Sequence, residues 1–121
     1  MNSFELTDSG LVKLELDCGW AIVAGQDPVA YLTKYPERYR LLHIKDFRKG
    51  FTPRTTLIDK DPGVPVPTEL GRGSIDYSPI FAAARKASIR ALFVEQEPPF
   101  ADMPVLEAIK VDYEYMKNLK S

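Results

Sequence analysis

In Tyr39-Arg40-Leu41-Leu42-His43-Ile44-Lys45 the apolar residues crowd together at Leu41, Leu42 and Ile44, then give way to charge. The run is too short for a helix of ordinary length and apolar enough for a buried strand. It carries His43, the only histidine of the protein. Two other runs have the same form. Leu14-Glu15-Leu16-Asp17 closes a strand expected from about Val12, and Ala91-Leu92-Phe93-Val94-Glu95 forms another. All three deliver a side chain that ligates divalent metals: a carboxylate, an imidazole and a second carboxylate. As neighbouring parallel strands they bring Asp17, His43 and Glu95 to one end of one sheet, where α/β enzymes build their active sites.

Between these runs the chain reads as helix. Asp27-Pro28 is an N-cap followed by proline in the first turn, and Pro36 ends that helix. Cys18-Gly19-Trp20 is expected to be the loop leading to it. Ser78-Pro79 opens a second helix through Ile80, Phe81, Ala84 and Ala87. Beyond the loop from Gln96 to Pro104, Leu106, Ile109, Tyr113, Met116 and Leu119 recur at spacings of three and four, the mark of one apolar helix face. Strands alternating with helices predict a parallel sheet of right-handed βαβ units. His43 follows Asp17 by 26 residues, one compact unit. Glu95 follows at twice that distance, because Phe47 to Ser74 is a long stretch punctuated by proline and glycine. A loop of that length commonly covers a site.

Neighbouring strands lie about 4.8 Å apart, so three tips span roughly 10 Å, and curvature of the sheet draws them closer. Two carboxylate oxygens and an imidazole nitrogen suit Mn²⁺, Mg²⁺, Co²⁺ or Zn²⁺. The period of two puts Lys13, Glu15 and Asp17 on one face, with Leu41, His43 and Lys45 together on the next strand. Charged Lys13 and Glu15 on an inward face require partners. Simpler roles compete: Asp17 as a cap for the chain that follows it, and Glu95 as an ion-pair partner of Arg90 or Lys45.

Composition excludes several classes. The chain has 121 residues, room for one domain, with a formal net charge of −1. No basic face points to nucleic acid, and no apolar run is long enough to span a membrane. A single cysteine, Cys18, makes no internal disulfide and fits a reducing cytoplasm. Beside Asp17 it reads as a small buried apolar residue. His43, Asp46 and Ser74 lack the nucleophile-elbow motif of a hydrolase. Gly71-Arg72-Gly73 is too short for a phosphate cradle.

Four segments carry a family resemblance. Leu14-Glu15-Leu16-Asp17-Cys18-Gly19-Trp20, with Ala24-Gly25-Gln26-Asp27-Pro28, resembles the sixth-strand region of the xylose isomerase-like sugar phosphate isomerase/epimerase family. Leu42-His43-Ile44-Lys45-Asp46 resembles its seventh strand, and Glu69 to Asp76 the segment entering its seventh helix. Phe93-Val94-Glu95-Gln96-Glu97 resembles its eighth strand. The resemblance implies an α/β fold: the C-terminal three βα units of a (β/α)8 TIM barrel, a partial barrel with parallel strands over residues 1–121. It implies a divalent metal, manganese first, held by Glu, Asp, His and Glu from strands five to eight. Asp17, His43 and Glu95 match the last three ligands. The strand-five glutamate has no counterpart, the chain being expected to begin just before strand six.

By the same resemblance Glu95 is also one half of an acid–base pair, and Trp20, Lys45 and Arg72 contact the substrate, with Phe47 beside Trp20 in the pocket. The implied chemistry is isomerase or epimerase chemistry on a sugar or sugar phosphate. It is metal-assisted proton transfer next to a ketose carbonyl through an enediolate, incomplete in this chain alone. One alternative is a catalytically silent half-barrel that self-associates or complements an N-terminal partner. Another is a metal-dependent lyase acting on oxidised glycosides. A distant one, apurinic-site endonuclease chemistry, needs several histidines.

Overall fold

The computed structural model describes residues 3–56, 63–100 and 102–119. The elements in order are α1 (Ser3–Leu6), β1 (Leu14–Asp17), α2 (Cys18–Val23), α3 (Pro28–Lys34), β2 (Tyr39–Ile44), β3 (Asp46–Phe47), β4 (Pro67–Thr68), α4 (Ser78–Lys86), β5 (Ala91–Val94) and α5 (Val105–Asn118). Strands β1, β2 and β5 form a parallel sheet with β2 in the centre. Asp17 lies opposite His43, and His43 opposite Phe93. The Glu95 N–H donates to the Ile44 carbonyl at 2.9 Å, which carries the ladder one step past β5. This is the expected parallel α/β arrangement, a sector of a TIM barrel.

Alternation sorts the two faces of the sheet. Leu16, Leu42 and Ile44 are buried in one core cluster with Val23 of α2, Leu32 of α3, and Ile80 and Ala84 of α4. Burial of each such side chain contributes about 1.5–3 kcal/mol. The opposite face carries Glu15, Asp17, Leu41 and His43. The proline starts are present: Asp27 caps α3 by accepting the Val29 N–H at 2.9 Å, with Pro28 at the first position. Helix α4 begins at Ser78 with Tyr77 as its cap residue, and Asp76 accepts the Ser78 N–H.

Three local features differ from the sequence reading. Cys18-Gly19-Trp20 is the first turn of α2 and not a loop, because Asp17 caps it. The segment from Phe47 to Ser74 is partly organised. Strands β3 and β4 pair antiparallel within it, and residues 57–62 lie outside the described part. Its hub is buried Asp46, whose carboxylate accepts N–H groups from Phe47, Gly71, Gly73, Ser74 and Ile75. A Cβ on Gly73 would collide with the Asp46 carboxylate and the Phe47 carbonyl, so this close wrap requires glycine.

The third difference concerns α5. Its apolar spacing is real, but the side of the helix that is buried holds Ala108 and Asp112. Leu106, Ile109 and Tyr113 are exposed, and an open cleft of about 360 Å³ separates Ile109, Tyr113 and Met116 from Leu92 and Val94 of β5.

Candidate metal centre

Each of the three donors is positioned by backbone hydrogen bonding. Asp17 ends β1 and caps α2, its Oδ1 accepting the Trp20 N–H at 3.0 Å. That bond orients the carboxylate and turns Oδ2 toward His43 Nδ1 at 3.4 Å. The capping role and the site role are therefore compatible, one oxygen serving each. His43 stands opposite Asp17 on the central strand. Glu95 Oε2 approaches the same His43 Nδ1 at 3.4 Å. One ligand atom from each of Asp17, His43 and Glu95 falls in a group no wider than 4.8 Å.

The other imidazole nitrogen is engaged as well. His43 Nε2 lies 2.7 Å from Glu15 Oε1, and the Phe93 ring meets the imidazole edge-on at 6.0 Å. Lys45, two residues beyond His43, completes the cluster. Its ammonium touches Asp17 Oδ2 at 3.1 Å, Glu95 Oε2 at 2.7 Å and Glu97 Oε1 at 3.0 Å, with its side chain only 4% exposed. It also lies 5.4 Å above the Trp20 ring, a favourable cation–π placement. Burial opposes the charge of Lys45, but the hydrogen bonds it donates to Glu95, Glu97 and Asp17 together hold its pKa above the ordinary lysine value. The Lys45 hydrogen bond in turn lowers the pKa of Glu95, against the smaller effect of burial.

Gly19 and Tyr77 hold Lys45 in place. A Cβ at position 19 would overlap the Lys45 stem, so the first turn of α2 can pass it only as glycine. The Tyr77 hydroxyl accepts the Lys45 N–H at 3.0 Å and donates to the Lys45 carbonyl at 2.6 Å.

The donor set fits a small divalent cation. Metal–ligand bonds of about 2.0–2.2 Å put opposite donors about 4.4 Å apart, so a trio inside 4.8 Å has the size of a coordination sphere. Hard carboxylate oxygens with one imidazole match the manganese, magnesium, cobalt and zinc group. Lys45 supplies positive charge beside these carboxylates, and its hydrogen bond to Glu95 lowers the pKa of that group.

The remaining sequence candidates are distributed as follows. Trp20 packs on Phe47 at 4.9 Å between ring centres and forms the wall over Lys45. Arg72 is exposed beside Leu70, Gly71, Glu114 and Tyr115, around a depression toward α5. Asp46 and Ser74 are consumed by the loop wrap, with Ser74 Oγ donating to the Phe47 carbonyl at 3.1 Å. Cys18 is fully buried, and burial, then the neighbouring Asp17 charge, pushes its thiol up to about 12. Glu15, Glu97 and Tyr77 were not among the expected site residues. Alternation put Glu15 on the site face, and Glu97 follows Glu95 by the same period of two. Nothing in the sequence pointed to Tyr77.

Known proteins share this fold over part of their length. No family model matches the chain. It is 36% identical over 104 residues to an inosose dehydratase of Geobacillus kaustophilus, which covers 80% of this chain and 34% of that protein. An inosose dehydratase of Clostridium botulinum is 32% identical over 123 residues, covering 96% of this chain and 41% of the relative. A sugar phosphate isomerase/epimerase from Parabacteroides distasonis superposes with a TM-score of 0.67 at 26% identity, over 95% of this chain and 33% of that one. A second such structure from the same organism gives 0.72 at 23% identity, which shows the fold alone. The chain thus spans between about a third and two fifths of the length of these relatives. With its three parallel βα units, it is similar to one part of these xylose isomerase-like TIM-barrel proteins.

Proposed function

We propose that Asp17, His43 and Glu95 hold a divalent cation, manganese first among Mn²⁺, Mg²⁺, Co²⁺ and Zn²⁺, in a site that moves a proton next to the carbonyl of a sugar or sugar phosphate. The observation that carries this reading is the convergence of their three donor atoms within 4.8 Å at the carboxyl ends of adjacent parallel strands. A bound cation would polarise the substrate carbonyl and its neighbouring hydroxyl. Glu95, kept ionised by Lys45, is the base that takes the proton from the adjacent carbon and returns it. Lys45 and Glu97 hold that carboxylate in place, Trp20 walls the sugar-facing side, and Arg72 is a contact for the outer end of the substrate. Solvent deuterium provides the test. A ketose incubated with the metal-supplemented protein is expected to gain deuterium next to its carbonyl, and the Glu95→Gln variant is expected not to. Equal incorporation by both would contradict the role of Glu95.

The dehydratase relatives favour a second reading on the same residues. Proton removal beside a carbonyl followed by loss of a β-hydroxyl is dehydration, a lyase reaction on a keto-polyol. Release of water without return of deuterium to recovered substrate separates it from isomerisation.

The same proposal includes a partner. Strands β1 and β5 are both edges of the sheet among the described residues, and Leu92, Phe93 and Val94 of β5 are exposed. Such edges bind further strands. The natural occupants are the complementary five βα units, carrying the fourth carboxylate, or a second copy of this chain. Residues 1–121 then act as one domain, a partial barrel in a reducing, cytoplasmic setting, whose turnover rises once the partner completes the site.

A further inference from the structure

We infer that Glu15 is a positioning residue for the cation site: it holds the Nε2–H of His43 and so reserves Nδ1 for the metal. The inference rests on the proposed metal reading of Asp17, His43 and Glu95. The geometry of the imidazole carries it. Nδ1 faces the site carboxylates, at 3.4 Å from Asp17 Oδ2 and 3.4 Å from Glu95 Oε2. Nε2 faces away from them, 2.7 Å from Glu15 Oε1. A neutral imidazole has one N–H and one lone pair, and the stronger acceptor claims the N–H. The shorter contact belongs to Glu15, so the proton stays on Nε2 and the lone pair on Nδ1 points at the cation position. A ligating histidine whose second nitrogen donates to a carboxylate is fixed in ring orientation and made more basic. Backbone register makes this arrangement dependable. Glu15 lies two residues before Asp17 on β1 and therefore on the same face, one pleat below the pair Asp17–His43.

Because His43 is the only histidine, nitrogen-15 NMR of the full chain reads its ring without assignment. In the metal-free protein the expected result is a Nε2–H proton protected from exchange. It should persist in Glu15→Gln, whose amide oxygen still accepts, and disappear in Glu15→Leu. On adding Zn²⁺, Nδ1 is expected to shift while Nε2 keeps its proton. Zinc affinity should fall about 10–100-fold in Glu15→Leu and be largely retained in Glu15→Gln. Zinc on Nε2, a protected proton on Nδ1, or a Glu15→Leu variant that binds like the parent would each overturn the assignment. If zinc shifts neither nitrogen, the metal reading fails. The protected proton alone then decides whether Glu15 positions His43.

Discussion

At the scale of single residues, the site is organised around Lys45 as much as around the donors. Its ammonium joins Asp17, Glu95 and Glu97, which would otherwise crowd negative charge near His43 without compensation. The cluster therefore depends on the narrow passage where Gly19 crosses the Lys45 stem. Gly19→Ala is expected to destabilise the fold by about 1–3 kcal/mol, since the added methyl must displace the stem or the helix turn. It should also weaken cation binding, because Asp17 and Glu95 lose their shared partner. Urea denaturation with a parallel metal titration checks both effects, and a variant as stable as the parent would contradict the crowding.

Among elements, the link between α5 and the segment entering α4 has a pH signature. The buried Asp112 carboxylate accepts the Leu70 N–H at 2.8 Å, and its Oδ2 is left without a hydrogen-bond partner among the described residues. Burial pushes its pKa up to about 6, against the Leu70 hydrogen bond, and the charges of Glu69 and Asp46 add to the rise. The folded state therefore holds this proton more tightly than the unfolded chain, whose carboxyl titrates near ~4. The stabilisation is full below ~4 and is lost as pH rises through about 6. Asp112→Asn keeps an acceptor for Leu70 and removes the charge. It is expected to gain about 2–3 kcal/mol relative to the parent near pH 8, and little near pH 4. Urea midpoints across that range test it, and parallel profiles for the two proteins would contradict it.

At the scale of the whole molecule, what could be read from sequence follows from how local each signal is. Strand runs, proline-opened helices and the alternation that collects Asp17 and His43 are set by neighbours along the chain, and they survive in the structure. Tyr77 is different: its hydroxyl closes on the Lys45 backbone across 32 residues, a contact that no periodicity encodes. Helix α5 shows the converse. Its apolar spacing was legible, yet Leu106, Ile109 and Tyr113 remain exposed, because the side of the helix that is buried holds Ala108 and Asp112. The exposed β5 edge predicts association. Light scattering should show mass rising with concentration, and Leu92→Lys together with Val94→Lys should return the chain toward monomer. A monomeric parent at high concentration would contradict this.

The claim on which the rest depends is that Asp17, His43 and Glu95 bind one cation. Calorimetric titration of the chelator-treated chain with Mn²⁺ tests it most directly, beside His43→Ala. One saturable site per chain is expected, weakened at least ~10-fold in the variant. Identical binding by the two proteins, or no binding by the parent, would contradict it.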